Sequence, residues 1–254
     1  MIRGLYISMT GMNAGIKRQD TIANNLANAN TPGYKRSETV FSSLLEREIH
    51  RFVDGQKQNY LGMLGTGSNF RLGTEDFSRG QILPSQNNLD VALSNPDAYL
   101  AVQQNGEVVY TRNGQLSVDD QGYLRHVSGA YLVSGQNPNQ ATRIQIQDPD
   151  GVSISADGTL RDTQGQVIDQ LRLVEFDPEA KQLRLDDSLV KSDLVALPSA
   201  LPGLQQGALE QANVQVVKEM VNLIAAMRYY ETNAKLIQIQ DQTLDKAVNE
   251  VGRT

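Results

Sequence analysis

Residues 214–251 read VQVVKEMVNLIAAMRYYETNAKLIQIQDQTLDKAVNEV, and this stretch decides the fold at one end of the chain. Its apolar and small residues recur in alternating steps of four and three, which is the spacing of a helix with a coiled-coil seam. They are Val216, Met220, Leu223, Met227, Tyr230, Ala234, Ile237, Leu244, Val248 and Val251, with Asp241 as the polar member. One helix of this length would extend about 57 Å. The pattern predicts either a long amphipathic helix on its own domain or a coiled-coil arm that pairs with the N-terminal helix and with other subunits.

The first thirty residues show a weaker form of the same pattern. Apolar residues alternate by three and four at Ile2, Leu5, Met9, Met12, Ile16, Ala23 and Leu26. The internal glycines Gly4, Gly11 and Gly15 each cost about 1 kcal/mol relative to alanine, so this helix is expected to be marginal alone. Thr31-Pro32-Gly33 disfavours continuation and ends the predicted helix near Asn30.

The middle of the chain is typical of antiparallel strands. Turn dipeptides recur at short intervals, with alternating segments such as Glu107 to Thr111 between them. These dipeptides are Asn105-Gly106, Asn113-Gly114, Gln121-Gly122, Asp150-Gly151, Asp157-Gly158 and Gln164-Gly165. The stretch from Ser117 to Arg125 also resembles that from Ser155 to Arg161, and we interpret both as strand, turn and strand.

These zones predict an α+β fold in which long N- and C-terminal helices pair as a coiled-coil-like layer, with a central antiparallel β-rich domain. The expected divisions are an N-terminal helix at 1–36, an extended Gly-rich connector arm at 37–80, a β-rich domain at 81–205 and a C-terminal helix at 206–254. The arm begins with a possible short helix from Phe41 to His50 and then becomes irregular. A second connector, residues 197–207, contains Pro198, Pro202 and two glycines.

Composition removes several functional classes. The 254 residues carry a formal charge of −6, whereas a general nucleic-acid binder is usually basic. The absence of Cys excludes disulfides and thiol nucleophiles, and two histidines, His50 and His126, cannot form a multi-histidine metal site. No apolar run reaches the roughly 18 residues of a membrane span. The N-terminus lacks the apolar region of a cleavable signal peptide.

Motifs that suggest chemistry are each explained better as local structure. Gly65-Thr66-Gly67-Ser68 lacks the third glycine and the helix of a dinucleotide-binding loop. Asp148-Pro149-Asp150-Gly151 lacks the first acid of a calcium loop, where Ile146 stands, and has Asp157 rather than Glu at the twelfth position, so it predicts a β-turn. Neither histidine has a spaced acid–base partner, and Asp186-Asp187 lies in a polar turn. We therefore expect no catalytic, cofactor-binding or metal-binding residues, no small-molecule substrate and no cofactor.

An Asn-rich segment follows the N-terminal seam. Asn24, Asn25, Asn28 and Asn30 occupy four of seven positions although asparagine is a poor helix former. One interpretation is a frayed helix end with an asparagine C-cap. The other is that these amides form hydrogen bonds with neighbouring subunits.

Three blocks of the sequence resemble the flagellar basal-body rod and hook family. The first joins Gly4-Leu5-Tyr6 to Ala23–Lys35, the second joins Asn88–Leu93 to Tyr110–Gly114, and the third runs from Glu219 to Lys235. The length and the modest β zone are most similar to the FlgF and FlgG type of rod protein. The chain departs from the family pattern after Leu93, where Asn95 and Asp97 replace two glycines. Both residue types tolerate a left-handed backbone, so we expect the turn to persist.

The resemblance implies a structural subunit of the flagellar rod, the shaft that carries torque from motor to hook. It implies copies of itself and other rod and hook proteins as partners, and export by the flagellar type III apparatus without a cleavable signal peptide to the extracytoplasmic basal body. A cap or accessory protein that does not polymerise remains an alternative, as does an enzyme such as a peptidoglycan hydrolase. The candidate subunit-interface residues are Ile2, Leu5, Met9, Met12, Ile16, Asn24, Asn25, Leu26, Asn28, Met220, Leu223, Met227, Tyr230, Asn233, Ile237, Leu244 and Val248.

Overall fold

A computed structural model describes residues 2–43, 46–53, 56–65, 67–136, 141–176, 182–184, 189–192, 197–198 and 203–251. The chain divides into two compact units. Unit 1 comprises Met1–Ala27, Ser37–Glu75 and Gln215–Thr254, and unit 2 comprises Asn28–Arg36 and Asp76–Val214. Helices and antiparallel strands are both present, which confirms the predicted α+β class.

Two helices frame unit 1. Helix α1 (Ile2–Ala27) and helix α2 (Val216–Lys246) lie where the two periodic patterns predict them, and α2 continues as a π-helical turn over Ala247–Val251. Glu219 in the first turn of α2 and Lys246 in the last both complement the helix dipole. Neither helix in the part of the chain that the structure describes has the length and apolar content that crossing a membrane requires.

The rest of unit 1 is a two-stranded ribbon. Strands β1 (Ser37–Ser43) and β4 (Ser68–Glu75) pair antiparallel, as do β2 (Glu46–Val53) and β3 (Gln56–Gly65). Ser43 pairs with Ser68 and Glu46 with Gly65, so the two pairs share one register where they adjoin, and the register shifts farther along each pair.

The expected short helix from Phe41 to His50 is therefore wrong, and strands occupy most of the described residues up to Glu75, whereas residues 76–80 are irregular as expected. Phe41 is paired in register with Phe70, with the ring centroids 6.1 Å apart. Cross-strand aromatic pairs of this kind stabilise a ribbon. A strand is consequently favoured over a helix at this position.

Unit 2 is built from short antiparallel strands. The first eight are β5 (Ile82–Pro84), β6 (Val91–Leu93), β7 (Ala98–Gln104), β8 (Glu107–Thr111), β9 (Leu116–Val118), β10 (Leu124–His126), β11 (Tyr131–Leu132) and β12 (Ser153–Ile154). The others are β13 (Thr159–Arg161), β14 (Val167–Gln170), β15 (Leu173–Glu175), β16 (Gln182–Arg184), β17 (Leu189–Ser192), β18 (Leu197–Pro198), β19 (Leu204–Gln206) and β20 (Ala208–Glu210).

Strand β7 organises the main sheet of unit 2. It pairs with β8 along its length, with β15 near its start and with β11 near its end. A separate sheet joins β12, β13 and β14, while β19 pairs with β6 and β20 with β5. The core contains the fully buried side chains of Leu93, Leu100, Leu124, Leu160 and Leu189.

Most turn dipeptides form the predicted hairpins. Asn105 and Gly106 connect β7 to β8 in a tight turn, with φ of 51° and 86°. Such a turn requires positive φ at both central residues and therefore favours Asn followed by Gly. Asn113-Gly114 is different and corrects the prediction, because both residues follow β8 without making a hairpin. Gly114 instead lies against the backbone of Val91, whose N–H donates to its carbonyl. A side chain at this position would collide with the carbonyl of Val91.

Candidate subunit interface

Helices α1 and α2 pack against each other in opposite directions. Gly4 lies closest to the side chain of Gln240, Gly11 to that of Asn233 and Gly15 to Tyr230 and Tyr229. A Cβ added at Gly11 would lie 2.9 Å from Oδ1 of Asn233. The glycines that weaken the helix in isolation therefore permit this close approach.

The side of α2 that faces α1 is small and polar. Glu219, Ala226 and Asn233 are its buried residues and recur one heptad apart. The amide of Asn233 donates to the carbonyl of Tyr229 at 2.9 Å. Gln240 continues the row, and its Oε1 is buried with no hydrogen-bond partner among the described residues. This contact therefore buries little apolar surface along its central row.

The predicted apolar seam of α2 is divided in the structure. Leu223, Tyr230, Ile237 and Leu244 are half-buried, whereas Met220, Met227 and Val248 are exposed. The buried row is displaced by about one residue from the predicted seam because the small and polar residues face the glycines of α1. Buried Asn233 belongs to this row. Half of the apolar pattern is thus left facing solvent.

Two exposed seam residues, Met220 and Met227, join other exposed residues in an apolar face at the N-terminal end of α2. Val217, Val221 and Ile224 are 76%, 61% and 53% exposed, and Met220 and Met227 lie beside them. Their spacing places them on one side of the helix. A contiguous exposed apolar patch marks an interaction surface more often than it marks a solvated face.

Helix α1 exposes apolar residues as well. Tyr6, Met9 and Ile16 are exposed at helical spacing, while Leu5 and Met12 are half-buried. The side chain of Ile2 lies outside the described part of the structure. These exposed residues extend the apolar surface of unit 1 beyond α2.

The asparagine segment has defined internal roles at two positions. Asn25 is buried, and its amide accepts from the N–H of Ser37 at 2.9 Å and donates to the carbonyl of Ser37 at 3.0 Å. The amide of Asn25 therefore bonds both backbone groups of Ser37, as the backbone of a neighbouring strand would, and holds the start of β1 against α1. Asn24 is exposed and Leu26 half-buried.

Asn28 has a similar local role in unit 2. Its Oδ1 accepts from the hydroxyl of Thr31 at 3.0 Å, and its carbonyl accepts from the N–H of Thr31. These bonds close the turn that follows α1. Asn28 and Asn25 thus use their side chains within the chain, and their role toward another subunit stays a prediction.

A second cluster lies in the interior of unit 2. The carboxylate of Glu210 has no exposed surface and accepts from Nζ of Lys35 at 2.9 Å and Nη2 of Arg112 at 2.7 Å. It also accepts from Nε of Arg112 and from the N–H of Gly80 at 2.8 Å. Four donors therefore satisfy one buried anion, which is the condition under which a buried charge is tolerated.

The two cations reach beyond Glu210. Lys35 donates to the carbonyl of Ser78 at 2.8 Å. Arg112 donates to the carbonyls of Asn95, Pro96 and Ala98, so its guanidinium clamps the loop before β7. The cluster joins five stretches of unit 2, at Lys35, Ser78–Gly80, Asn95–Ala98, Arg112 and Glu210.

This loop contains the departure from the family pattern. The expected turn is present, although neither Asn95 nor Asp97 adopts a left-handed backbone. Instead, Oδ1 of Asn95 accepts from the N–H of Asp97 at 3.0 Å, and its amide donates to Glu175 at 2.7 Å. A side-chain turn thus replaces the glycine geometry.

The pKa values of Glu210 and Lys35 are both lowered by their surroundings in the cluster. Burial alone would raise the pKa of Glu210, but the charges of Arg112 and Lys35 outweigh it and lower that pKa. The pKa of Lys35 is also lowered, first by burial and then by the charge of Arg112, with Glu210 offsetting only part of this. The two cations explain the lowered pKa of Glu210, whereas burial is the main cause of the lowered pKa of Lys35.

Sequence reasoning missed this cluster. Lys35 and Arg112 stand in quoted blocks, but 175 residues separate Lys35 from Glu210 and 98 separate Arg112 from it. No spacing rule connects such distant positions. For Arg112 and Glu210 the available signal was a single charge in a stretch with Gly and apolar residues, whereas Lys35 is followed directly by Arg36.

The chemical motifs act as local structure where they are described. Oδ1 of Asp148 accepts from the N–H of Asp150, as the turn prediction requires. Thr66 of the Gly-rich motif lies outside the described residues. Among the described residues, no group of three or more acidic or histidine side chains is arranged to hold a metal ion.

Comparison with known families gives three matches along the chain. Residues 5–35 match a family described as flagella basal body rod protein, and residues 95–162 match the D1 domain of flagellar hook protein FlgE/F/G. Residues 205–250 match the C-terminal part of the flagellar basal body rod FlgEFG proteins. Each matched segment contributes one member of the buried cluster, namely Lys35, Arg112 and Glu210.

Full-length relatives agree with these matches. The chain is 32% identical to the flagellar basal-body rod protein FlgG of Buchnera aphidicola subsp. Schizaphis graminum over 97% of this chain and 98% of the relative. It is 30% identical to the flagellar hook-basal body complex protein FlhP of Bacillus subtilis over 96% and 97%. It is 29% identical to the rod protein FlgF of Mesorhizobium japonicum over 98% and 97%. A helix pair with an exposed apolar face and a β unit closed by a buried ionic cluster define an assembling structural protein, and the chain belongs to the flagellar basal-body rod protein family.

Proposed function

We propose that this chain is a structural subunit of the bacterial flagellar basal-body rod. The names of its full-length relatives support this role, and they do not favour a non-polymerising accessory protein or a hydrolase. The observation that carries the proposal furthest is the exposed apolar face of α2. In a protein that remained a monomer, this face would be a persistent aggregation hazard.

The proposed mechanism is helical polymerisation through the terminal helices. Helices α1 (Ile2–Ala27) and α2 (Val216–Lys246), which lie within the predicted segments 1–36 and 206–254, would form a coiled-coil-like axial layer with other copies and with other rod and hook proteins. Their contact must be head to tail, because such contacts generate an open helical assembly. Closely packed helices resist deformation, which suits a shaft that transmits torque between motor and hook.

The remaining regions have proposed roles in the same assembly. Residues 37–80 would act as an arm that contacts neighbouring subunits, and residues 81–205 would form the β-rich domain. A two-stranded ribbon is marginally stable by itself, which supports a partner for this arm. We further propose export by the flagellar type III apparatus and a final location in the extracytoplasmic basal body.

An assembly assay on the full-length protein tests this function. Ile224→Glu places a charge on the exposed apolar face of α2, and Gln238→Glu places the same charge on another exposed position of the helix. We expect Ile224→Glu to abolish concentration-dependent sedimentation of assemblies and the motility of cells that carry it. Gln238→Glu should retain both.

The folded state of each variant is checked by far-UV circular dichroism. Unchanged spectra with loss of assembly only for Ile224→Glu support the proposed interface. Normal assembly and motility of a folded Ile224→Glu variant would refute it. Absence of any concentration-dependent assembly by the unsubstituted chain, with or without other rod proteins, would favour the accessory alternative.

A further inference from the structure

Four short loops of unit 2 share one hydrogen-bond pattern. They begin at Asp119, His126, Ser155 and Asp162, and each has glycine as its fourth residue. The N–H of the first residue donates to the carbonyl of the fifth, at 2.7 to 3.0 Å, and the glycine N–H donates back to the carbonyl of the first, at 2.8 to 3.0 Å. The distance along the chain from the loop at Asp119 to the loop at His126 equals the distance from the loop at Ser155 to the loop at Asp162. The similarity noticed in the sequence therefore reflects a repeated pair of loops.

In three of these loops the first side chain also accepts a backbone hydrogen bond. Oδ1 of Asp119 accepts from the N–H of Gln121 at 3.0 Å, and Oδ1 of Asp162 accepts from the N–H of Gln164 at 2.8 Å. In the loop at His126, Nδ1 of the imidazole accepts from the N–H of Ser128 at 3.1 Å. The imidazole of His126 thus accepts the backbone hydrogen bond that a carboxylate accepts in the equivalent loop at Asp162.

This geometry requires one protonation state of His126. A backbone N–H can only donate, so Nδ1 must carry a lone pair and the neutral ring must carry its proton on Nε2. The hydroxyl of Ser128, 2.7 Å from Nδ1, then donates to the same atom. Protonation of Nδ1 would place the ring N–H against the N–H of Ser128 and break that bond, whereas the hydroxyl of Ser128 can rotate to accept from the protonated ring.

Within the described residues, Nε2 of His126 has no hydrogen-bond acceptor that would stabilise a positive charge on the ring. The side chain of His126 is 0% exposed. Leu116 on β9 lies opposite it, and Leu124 precedes it on the same face of β10; both are buried.

Ionisable groups on the adjoining elements are distributed away from this face. Arg125 on β10 is paired across the strands with Tyr131 on β11, which places both on the other face of the sheet. Asp119, Asp120 and Tyr123 occupy the loop between β9 and β10, at the opposite end of that hairpin from His126. Burial lowers the pKa of His126 to about 4.

We propose that His126 is a pH-sensitive latch in unit 2, closed only while its imidazole is neutral. Closure holds the loop from β10 to β11 over the buried leucines, and protonation releases it. The unfolded chain binds the proton near the ordinary pKa of 6.5, whereas the folded chain resists it until about pH 4. Stability is therefore lost as pH falls through this window, with an expected decrease in the folding equilibrium constant on the order of 100-fold.

Urea unfolding of the full-length protein at a series of pH values from 7.5 to 4 tests the latch. His126→Asn retains an acceptor atom near the position of Nδ1 but cannot titrate. His50→Asn removes the other histidine and serves as the matched control. The carboxylates titrate alike in wild type and in both variants. A difference between wild type and a variant in the pH dependence of stability is therefore due to the substituted histidine. We expect wild type and His50→Asn to lose stability between pH 6.5 and 4 and His126→Asn to lose much less.

Nuclear magnetic resonance of the imidazole provides a measurement that needs no substitution in the latch. Nitrogen shifts of His126 should report the Nε2–H form at pH 7, with no titration above pH 5. A normal titration near pH 6.5, or an Nδ1–H form, would overturn the proposal. The proposal would also be overturned if the free energies of unfolding of wild type and of a folded His126→Asn variant changed identically with pH.

Discussion

The guanidinium of Arg112 and the carboxylate of Glu210 form two hydrogen bonds, at 2.7 and 3.2 Å, in the interior of unit 2, although 98 residues separate them. The same guanidinium holds the carbonyls of the loop before β7. One side chain therefore attaches β20 and this loop to the end of β8. Removing the side chain of Arg112 would leave the buried carboxylate of Glu210 with fewer donors, and three carbonyls of the loop before β7 would lose this donor.

The first prediction concerns this ion pair. Arg112→Met should lower the free energy of unfolding of unit 2 by about 3 to 5 kcal/mol, because a buried charge loses its partner. Lys191→Met is the control, since Lys191 forms an exposed pair with Glu107 at 2.6 Å in the same unit. Its loss should change the free energy by about 1 kcal/mol or less. Urea unfolding at pH 7 measures both, and equal effects would contradict a special role for the buried pair.

The second prediction concerns the pH dependence of Glu210. Its pKa is lowered in the folded state, so its charge stabilises the fold above the ordinary value of 4.5, and this contribution is lost as pH falls through the folded-state pKa. Glu210→Gln should therefore be less stable than wild type at pH 7, and the difference should shrink below pH 4.5. Urea unfolding as a function of pH measures it. A difference that stayed constant down to pH 3 would show that the charge of Glu210 is not responsible.

The third prediction uses two glycines of α1. A Cβ at Gly15 would lie at ordinary contact distance, 3.5 Å from Cδ1 of Tyr229, whereas one at Gly11 would lie 2.9 Å from Oδ1 of Asn233. Gly15→Ala should stabilise the helix by up to about 1 kcal/mol through propensity. Gly11→Leu should separate the helices despite its higher propensity. Thermal unfolding followed by circular dichroism at 222 nm compares them, and stabilisation by Gly11→Leu would contradict the close packing.

The fourth prediction concerns Gln240, whose buried Oε1 has no partner among the described residues. Gln240→Met removes this unsatisfied acceptor while preserving length and flexibility. It should raise the free energy of unfolding by about 1 kcal/mol. Gln238→Met, on the exposed side of α2, should have no comparable effect. Destabilisation by Gln240→Met alone would indicate that the amide is satisfied in the folded protein.

The periodic pattern at the two ends of the chain was sufficient to predict both helices, because the spacing of apolar residues is a local property. The Gly-containing turns predicted most hairpins of unit 2 for the same reason. The short helix at Phe41 was mispredicted, since the pairing of Phe41 with Phe70 is decided by a strand that follows much later. The sequence did not indicate which side of α2 faces α1. Hydrophobicity favours Met220 and Met227 as buried residues, whereas the glycines of α1 select the row of Glu219 and Asn233.

The sequence by itself determined the α+β class, the positions of the helices and the resemblance to an assembling family, because each depends on short-range periodicity or on ordered blocks of residues. Only the tertiary structure decided which side of α2 is buried and which apolar residues remain for a partner. It also brought Lys35, Arg112 and Glu210 together and gave His126 its acceptor role. These contacts depend on backbone segments that meet only after folding, and no local pattern encodes the distance between them.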